Sequence, residues 1–502
     1  MVGDGWKWRD PFAAPPGAPV PRSLSPTRAS FRKRWPDLQS LFLDYRIELP
    51  GQRADAYAGW GWKWSGLRAK ALAERRGAEL IVLEEGFVSG FADALKEPIN
   101  AYIADRRAPH YDGTTQSDLE RTILHETFGE DERARAGAAI RTLAETGLSK
   151  WNSAPVMSPR ALGLTEPFVL LLDQVKGDRS LTYGGGGPDA FERLLAAARR
   201  EAEGRRIVLR AHPVATRRGP LAEACRGADD VMVLTQPCRL APLLEAAAAV
   251  YTVASHAGFE ALFYGTPVRC FGEPFFAGWG LTEDDTAMPR RGVPRDLESV
   301  FASAYLRHSR YLDPHDRSVV ALEEAMENVR LVRDVRLAMR PRVVTVGMTG
   351  WQRDAAEPFL IGPGGRARHM RSRAPKEFDG DVVIWGDAAS RTPANARAIR
   401  LRAEGLVDVP GEGPLPTALT RITAETGEPL PPGEVHVHPD SRLPCPAMRL
   451  PEHAERAPHG HRARLRHRTR ILRMATESVL FLARVQLLAW RSRLGGTMRR
   501  DG

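Results

Sequence analysis

Ser255, His256, Gly258 and Glu260 fall close together in the stretch VYTVASHAGFEALFYGTPVRCFGEPFFAGWGL, residues 250–281. A β-branched run ends at Val253, an amphipathic turn or two spans 259–264, Gly265 stops it, and a second strand restarts at 267–271, which together make one β-α-β unit. The serine, histidine and glycine then lie where a strand ends and a helix begins. There, free backbone N–H groups and the helix dipole favour an anion such as a phosphate. Glu260, in the first turn, offers an acceptor suited to the hydroxyl pair of a ribose. A helix cap at Ser255 and a dipole partner at Glu260 account for the same residues equally well.

Other polar groups follow strand-like runs. The apolar run 168–172 delivers Asp173, Gln174, Asp178 and Ser180 into a loop that ends in Gly184–Gly187. Four glycines without a following Lys-Ser or Lys-Thr make no P-loop, and a flexible lid is expected there. The run 206–210 ends in Arg210-Ala211-His212-Pro213. His-Pro alone is a turn signal, but three strand ends bearing polar groups on one sheet edge are what a nucleotide crevice requires. Nearer the start, ADAYAGWGWKWSG (54–66) leads into a helix that Gly77 stops, and the buried run 78–83 then ends in Glu84-Glu85-Gly86-Phe87.

ASHAGFEALFYGTPV followed by PFFAGWGLTEDD resembles the capsule polysaccharide biosynthesis proteins of the KpsC/LipA type. Gly59-Trp60-Gly61 with Lys63-x-Ser65-Gly66, Gln174 to Ser180 and Arg210 to Pro213 match further elements of that family; Glu85 replaces the family's usual Asp, and Arg210 its Lys. The resemblance implies cytosolic sugar transferases that use CMP-Kdo, the CMP-activated form of 3-deoxy-manno-octulosonate. It also implies an α/β fold of the GT-B kind, with two Rossmann-like domains facing across a cleft. Donor contacts are expected from Gln174, Ser180, Arg210, His212, Pro213, Ser255, His256, Gly258, Phe259 and Glu260. Lys63, Ser65, Gly278 and Trp279 are expected on the acceptor side. The family's retention of configuration, through a covalent step, needs a carboxylate nucleophile and an acid/base partner; Asp178 is the candidate nucleophile, with Glu85 beside Glu84 as base. No cofactor or metal is expected, only CMP-Kdo as donor and a glycolipid or oligosaccharide as acceptor. The alternative is a non-catalytic scaffold of capsule assembly or export derived from such a transferase.

The 502 residues carry a net charge of +10, much of it arginine near the end, and the four cysteines include no C-x-x-C pair. A reducing compartment and no secretory signal are expected. Nothing resembles a helix-turn-helix, RRM or zinc finger, which argues against nucleic acid as partner. Residues 1–35, rich in Pro, Gly and Arg, read as a flexible lead-in. They are followed by an acceptor domain over 36–160 and a nucleotide-sugar domain over 165–335. Residues 340–430 echo the front of the first domain, with a strand, an Ala/Arg helix and a second apolar run, and read as a truncated half-module. A linker (431–465) then leads to a basic amphipathic helix in 466–502, too short and charged to span a bilayer. That helix suggests peripheral attachment to the anionic inner-membrane surface, beside other capsule assembly proteins.

Overall fold

The computed structural model describes residues 6–91, 99–187, 189–212, 219–314 and 317–348, and shorter stretches between 360 and 416. The expected linker and basic C-terminal helix lie outside the described residues, as does Pro213. Among the described residues no helix is long and apolar enough to cross a membrane.

Five strands begin the chain: β1 (Arg22–Pro26), β2 (Tyr45–Ile47), β3 (Ala56–Trp60), β4 (Glu79–Glu85) and β5 (Ala101–Asp105). The first four are parallel in the order β2-β1-β3-β4, and β5 adds antiparallel to β4. The expected flexible lead-in is thereby corrected over its described part. β1 lies between β2 and β3, Leu24 is buried with Phe12 and Phe31, and the Thr27 hydroxyl donates to the Ser65 carbonyl at 2.6 Å. The proline-rich composition hides this strand because its partners are supplied only by residues 45–60.

The next six strands are β6 (Phe168–Leu172), β7 (Arg206–Arg210), β8 (Val231–Leu234), β9 (Ala247–Thr252), β10 (Val268–Cys270) and β11 (Glu283–Asp284). They form an all-parallel sheet in the order β8-β7-β6-β9-β10-β11. This is the doubly wound 3-2-1-4-5-6 order, whose crevice opens outside the carboxyl ends of the two central strands, here β6 and β9. Every residue of β6 is buried, as a strand covered on both faces requires. One cover is the helix Ala190–Glu201, which buries positions 190, 191, 194, 195, 197 and 198 along a single stripe.

The chain then returns to the first sheet. β12 (Ser309–Leu312) pairs antiparallel with β5, and β13 (Val319–Val320) with β12. Residues 309–320 therefore complete the first sheet rather than the second, which the sequence expectation extended to 335. A third sheet holds β14 (Arg342–Val346), β15 (Arg366–Met370), β16 (Asp381–Trp385), β17 (Arg397–Leu401), β18 (Leu406–Val409) and β19 (Gly413–Pro416). The expected echo of the first domain fails at 397–401. The Ala/Arg run there is strand β17, paired along its length with β16, not a helix. Ile399 is fully buried in the sheet, and that burial outweighs the helix propensity of Ala and Arg.

Candidate active site

On the first-sheet side, β3 passes through Gly61 into the helix Trp64–Arg76. The turn is tight: a Cβ on Gly66 would lie 1.5 Å from the Gly61 carbonyl oxygen, and one on Gly61, at φ +38°, would lie 1.8 Å from Glu84 Oε1. Bare backbone there leaves room for the carboxyl of Glu84 at the end of β4. The Tyr111 hydroxyl donates to Glu84 at 3.2 Å and accepts from the Trp62 N–H at 2.9 Å. Burial pushes the Glu84 carboxyl up to about 7; Lys63, Lys150 and the Tyr111 hydrogen bond act against this, and the Asp178 charge adds to it. Lys63 is exposed, whereas Ser65 is buried and its hydroxyl accepts the Trp60 N–H at 3.2 Å. Ser65 thus braces the turn and does not face an acceptor.

On the second-sheet side, the β6 and β9 ends are tied together by Gln174, whose side-chain oxygen accepts the Ala254 N–H at 2.9 Å and whose amide nitrogen donates to Ser180 Oγ at 3.4 Å. Asp178 is exposed; its Oδ1 accepts from the Ser180 N–H at 2.9 Å and the Ser180 hydroxyl at 3.1 Å, capping the helix Arg179–Tyr183. His212 lies beside Trp151, edge-on at 6.1 Å between ring centres. Burial lowers the pKa of His212 and Asp178 opposes this. Ser255 caps the helix His256–Leu262.

Several expected donor and acceptor residues are instead packing elements. Arg210 is buried, and its guanidinium donates to the carbonyls of Leu234 and Cys238, both at 3.3 Å. A Cβ on Gly258 would lie 2.8 Å from Thr252 Cγ2, and Phe259 is fully buried among Phe263, Phe275 and Phe276. Trp279 is 1% exposed and donates to the Phe275 carbonyl, while the Gly278 N–H goes to Asp284. Arg291 organises that knot: its guanidinium reaches the carbonyls of Pro274 and Ala277 and the buried carboxylate of Glu120, which Arg290 also engages. Gly184–Gly187, expected as a lid, is docked: the Glu273 N–H donates to the Gly184 carbonyl at 2.7 Å, and a Cβ on Gly185 would meet the Glu273 side chain.

Between the two sheets runs a segment that holds none of the residues expected at the site. Gly147, at φ +59°, stops the helix Glu130–Thr146, and Ser149, Lys150 and Trp151 follow. The Ser149 hydroxyl donates to Glu260 at 2.7 Å, and the Lys150 ammonium is 3.4 Å from Glu85. Glu260 is 6% exposed and pushed up to about 7 by burial, against hydrogen bonds from Ser149 and the Lys150 N–H. Its carboxyl is therefore held by this segment rather than presented to a ribose. Glu85 is likewise buried, beside Lys150, whereas the charge of Asp178 acts on Glu84. His256 stacks on Phe87 at 4.4 Å and shares a 2.9 Å hydrogen bond with the Tyr305 hydroxyl, in a π-helical turn, Ala302–Arg307. Burial first, then the charge of Lys150, holds His256 neutral, well below the usual imidazole range. Lys150 and Tyr305 carry no motif of their own. The signal that could have found Lys150 is a Ser-Lys-Trp-Asn run directly behind a helix-stopping glycine.

Residues 92–311 match the family described as capsule polysaccharide biosynthesis protein. The capsule polysaccharide modification protein LipA of Neisseria meningitidis serogroup A is 30% identical over 374 residues, which cover 71% of this chain and 53% of that protein. The lipopolysaccharide-processing protein LpsZ of Rhizobium meliloti is 27% identical over 309 residues, 60% of this chain and 68% of that protein. The chain thus spans about half the length of the LipA proteins it matches. Among solved structures, the beta Kdo 2,4 transferase of Thermosulfurimonas dismutans KpsC superposes with a TM-score of 0.58 at 28% identity, over 61% of this chain and 98% of that one. Local motif, fold and overall similarity agree, and through residues 92–311 the chain belongs to the capsule polysaccharide biosynthesis proteins of the KpsC/LipA type.

Proposed function

We propose that the protein is a glycosyltransferase of capsule or surface polysaccharide synthesis that moves Kdo from CMP-Kdo to a saccharide or glycolipid acceptor with retention. The observation that carries this reading is that Asp178 follows β6 at the crevice of the doubly wound sheet while its charge reaches the Glu84 carboxyl at the end of β4 in the first sheet. The Asp178 charge adds to the upward push on the Glu84 carboxyl, and the two sheets would form the halves of a GT-B transferase. The similarity to a solved beta Kdo transferase supports both donor and fold.

In the first step the Asp178 carboxylate attacks the anomeric carbon of the sugar, and CMP leaves with the bonding electron pair. In the second, an acceptor hydroxyl attacks the same carbon, expels the Asp178 carboxylate and gives its proton to Glu84. Two inversions give net retention. A carboxyl whose pKa is near 7 is matched to taking that proton at neutral pH. His212, beside the crevice, would interact with the phosphate of departing CMP.

The scaffold reading keeps one observation in its favour: Asp178 has a structural duty as a helix cap. Asp178→Asn separates the two, because an amide oxygen still caps but does not attack. The variant should melt within a few degrees of the parent, bind CMP as the parent does and transfer no sugar. Undiminished transfer by Asp178→Asn would sink the covalent route, and a thermal shift with UDP or GDP but not CMP would sink the donor assignment.

A further inference from the structure

The segment Ser149–Asn152 is a rigid strap that touches three candidate site groups with three successive side chains. Ser149 reaches Glu260, Lys150 reaches Glu85, and the Trp151 ring sits edge-on to His212. Asn152 fixes it: its side-chain amide donates to the Gly90 and Ser149 carbonyls, both at 2.8 Å, its side-chain oxygen accepts the Ser149 N–H, and Trp151 bridges to Gly90. A strap held this firmly presents its side chains in one geometry.

What it presents are donors with capacity to spare. The Lys150 ammonium has three hydrogens; its side chain is 32% exposed, and Glu85 lies 3.4 Å away. It is 5.8 Å from the centre of the Trp151 ring, whose indole N–H is buried without an acceptor. Among the described residues, four buried side-chain polar atoms without a partner lie in this neighbourhood, on Glu85, His110, Trp151 and His256. Buried polar groups are as a rule hydrogen-bonded, so four without a partner in one neighbourhood call for one.

We infer that the Lys150 ammonium and the Trp151 indole N–H form a subsite for the carboxylate of a sugar-acid donor, so that the strap selects acidic over neutral sugars. The inference rests on the donor assignment above and deepens it. In an ulosonic acid the carboxylate is carried on the anomeric carbon itself, so its partner must lie beside the nucleophile. The charges of Asp178 and Lys150 act on the same two groups, Glu84 and His212. A cation is also needed for a reason of charge: the attacking Asp178 carboxylate approaches a carbon that already bears a negative substituent, and uncompensated repulsion would oppose the attack. Glu85, buried behind Lys150, is then a positioning residue.

The test compares affinities for CMP and CMP-Kdo in the full-length protein and in Lys150→Met, Lys150→Arg and Trp151→Phe. Loss of a charge-assisted hydrogen bond should lower the preference for CMP-Kdo over CMP by roughly 10- to 100-fold in Lys150→Met. Affinity for CMP itself should not change. Lys150→Arg should keep most of the preference, and Trp151→Phe should lose roughly 5- to 10-fold, on the scale of one hydrogen bond. Trp151→Phe, close in shape to the parent, still decides the matter if Lys150→Met fails to fold. Equal weakening of CMP and CMP-Kdo would assign Lys150 to the phosphate and overturn the subsite; so would a lowered melting temperature with the preference unchanged. A parent protein that binds no CMP at all overturns the donor assignment itself, a result distinct from a parent that binds both ligands while the variants keep its preference.

Discussion

Glutamine at position 260 should stabilise the protein at alkaline pH and leave it almost unchanged at acid pH. The parent carboxyl is 6% exposed, and burial pushes it from 4.5 up to about 7. Between those two values the folded protein holds a proton that the unfolded chain has released, so the parent loses stability as pH rises through that window. At about 1.4 kcal/mol per pH unit, the interval of 2.5 units between 4.5 and about 7 corresponds to about 3 kcal/mol, carried in full above pH 7 and absent below pH 4.5. Glutamine is neutral throughout and keeps an oxygen to accept from Ser149. Neighbouring groups do not cancel in the parent alone. Glu84 titrates in the same direction, while His256, His110 (about 3) and His308 (about 4) are held neutral by burial and add stability as pH rises towards 6.5. The difference between parent and Glu260→Gln removes these shared contributions. Urea unfolding followed by tryptophan fluorescence should give nearly equal stabilities at pH 5 and a variant more stable by up to about 3 kcal/mol at pH 8. A variant less stable than the parent at pH 8, or a difference that does not move with pH, would refute the reasoning. CMP affinity in the same variant should be that of the parent, whereas a carboxylate on the ribose would lose it.

Arg291→Met should cost about 3 kcal/mol or more, because Arg291 and Glu120 are each 3% exposed and the loss strips one cation from a buried carboxylate along with donors to two carbonyls; a melting temperature within two or three degrees of the parent would contradict this. Gly61→Ala should cost roughly 1–3 kcal/mol in backbone strain. It should also lower sugar transfer sharply, because its Cβ would displace the Glu84 carboxyl, and parent-like turnover would remove Glu84 from the reaction. The pH-rate profile of transfer should show a limb near 7 from Glu84. Lys63→Met should move that limb upward, since the Lys63 charge favours the ionised carboxyl, and an unmoved limb would assign it to another group.

The local chemistry of the chain was legible residue by residue. The apolar runs at 168–172 and 206–210 became buried parallel strands, Gly77 ended a helix, and Ser255 took a cap position. These features depend on periodicity and on backbone conformations that neighbouring residues decide. Which polar group at a strand end faces the crevice depends on more than its neighbours. Glu84 and Glu85 differ by one position on a strand and so point to opposite faces; the segment after Gly147 sets Lys150 against one, and the charge of Asp178 acts on the other. In the same way Arg210, Phe259 and Trp279, all beside the crevice in sequence, were drawn into the core by partners far along the chain. β1 acquired its strand only from neighbours on either side, and Lys150 acquired a role only because two sheets meet around it. Short-range pattern determined which elements exist and where their polar ends fall; long-range packing, which removes some of those ends from water and pairs others, decided which of them can do chemistry.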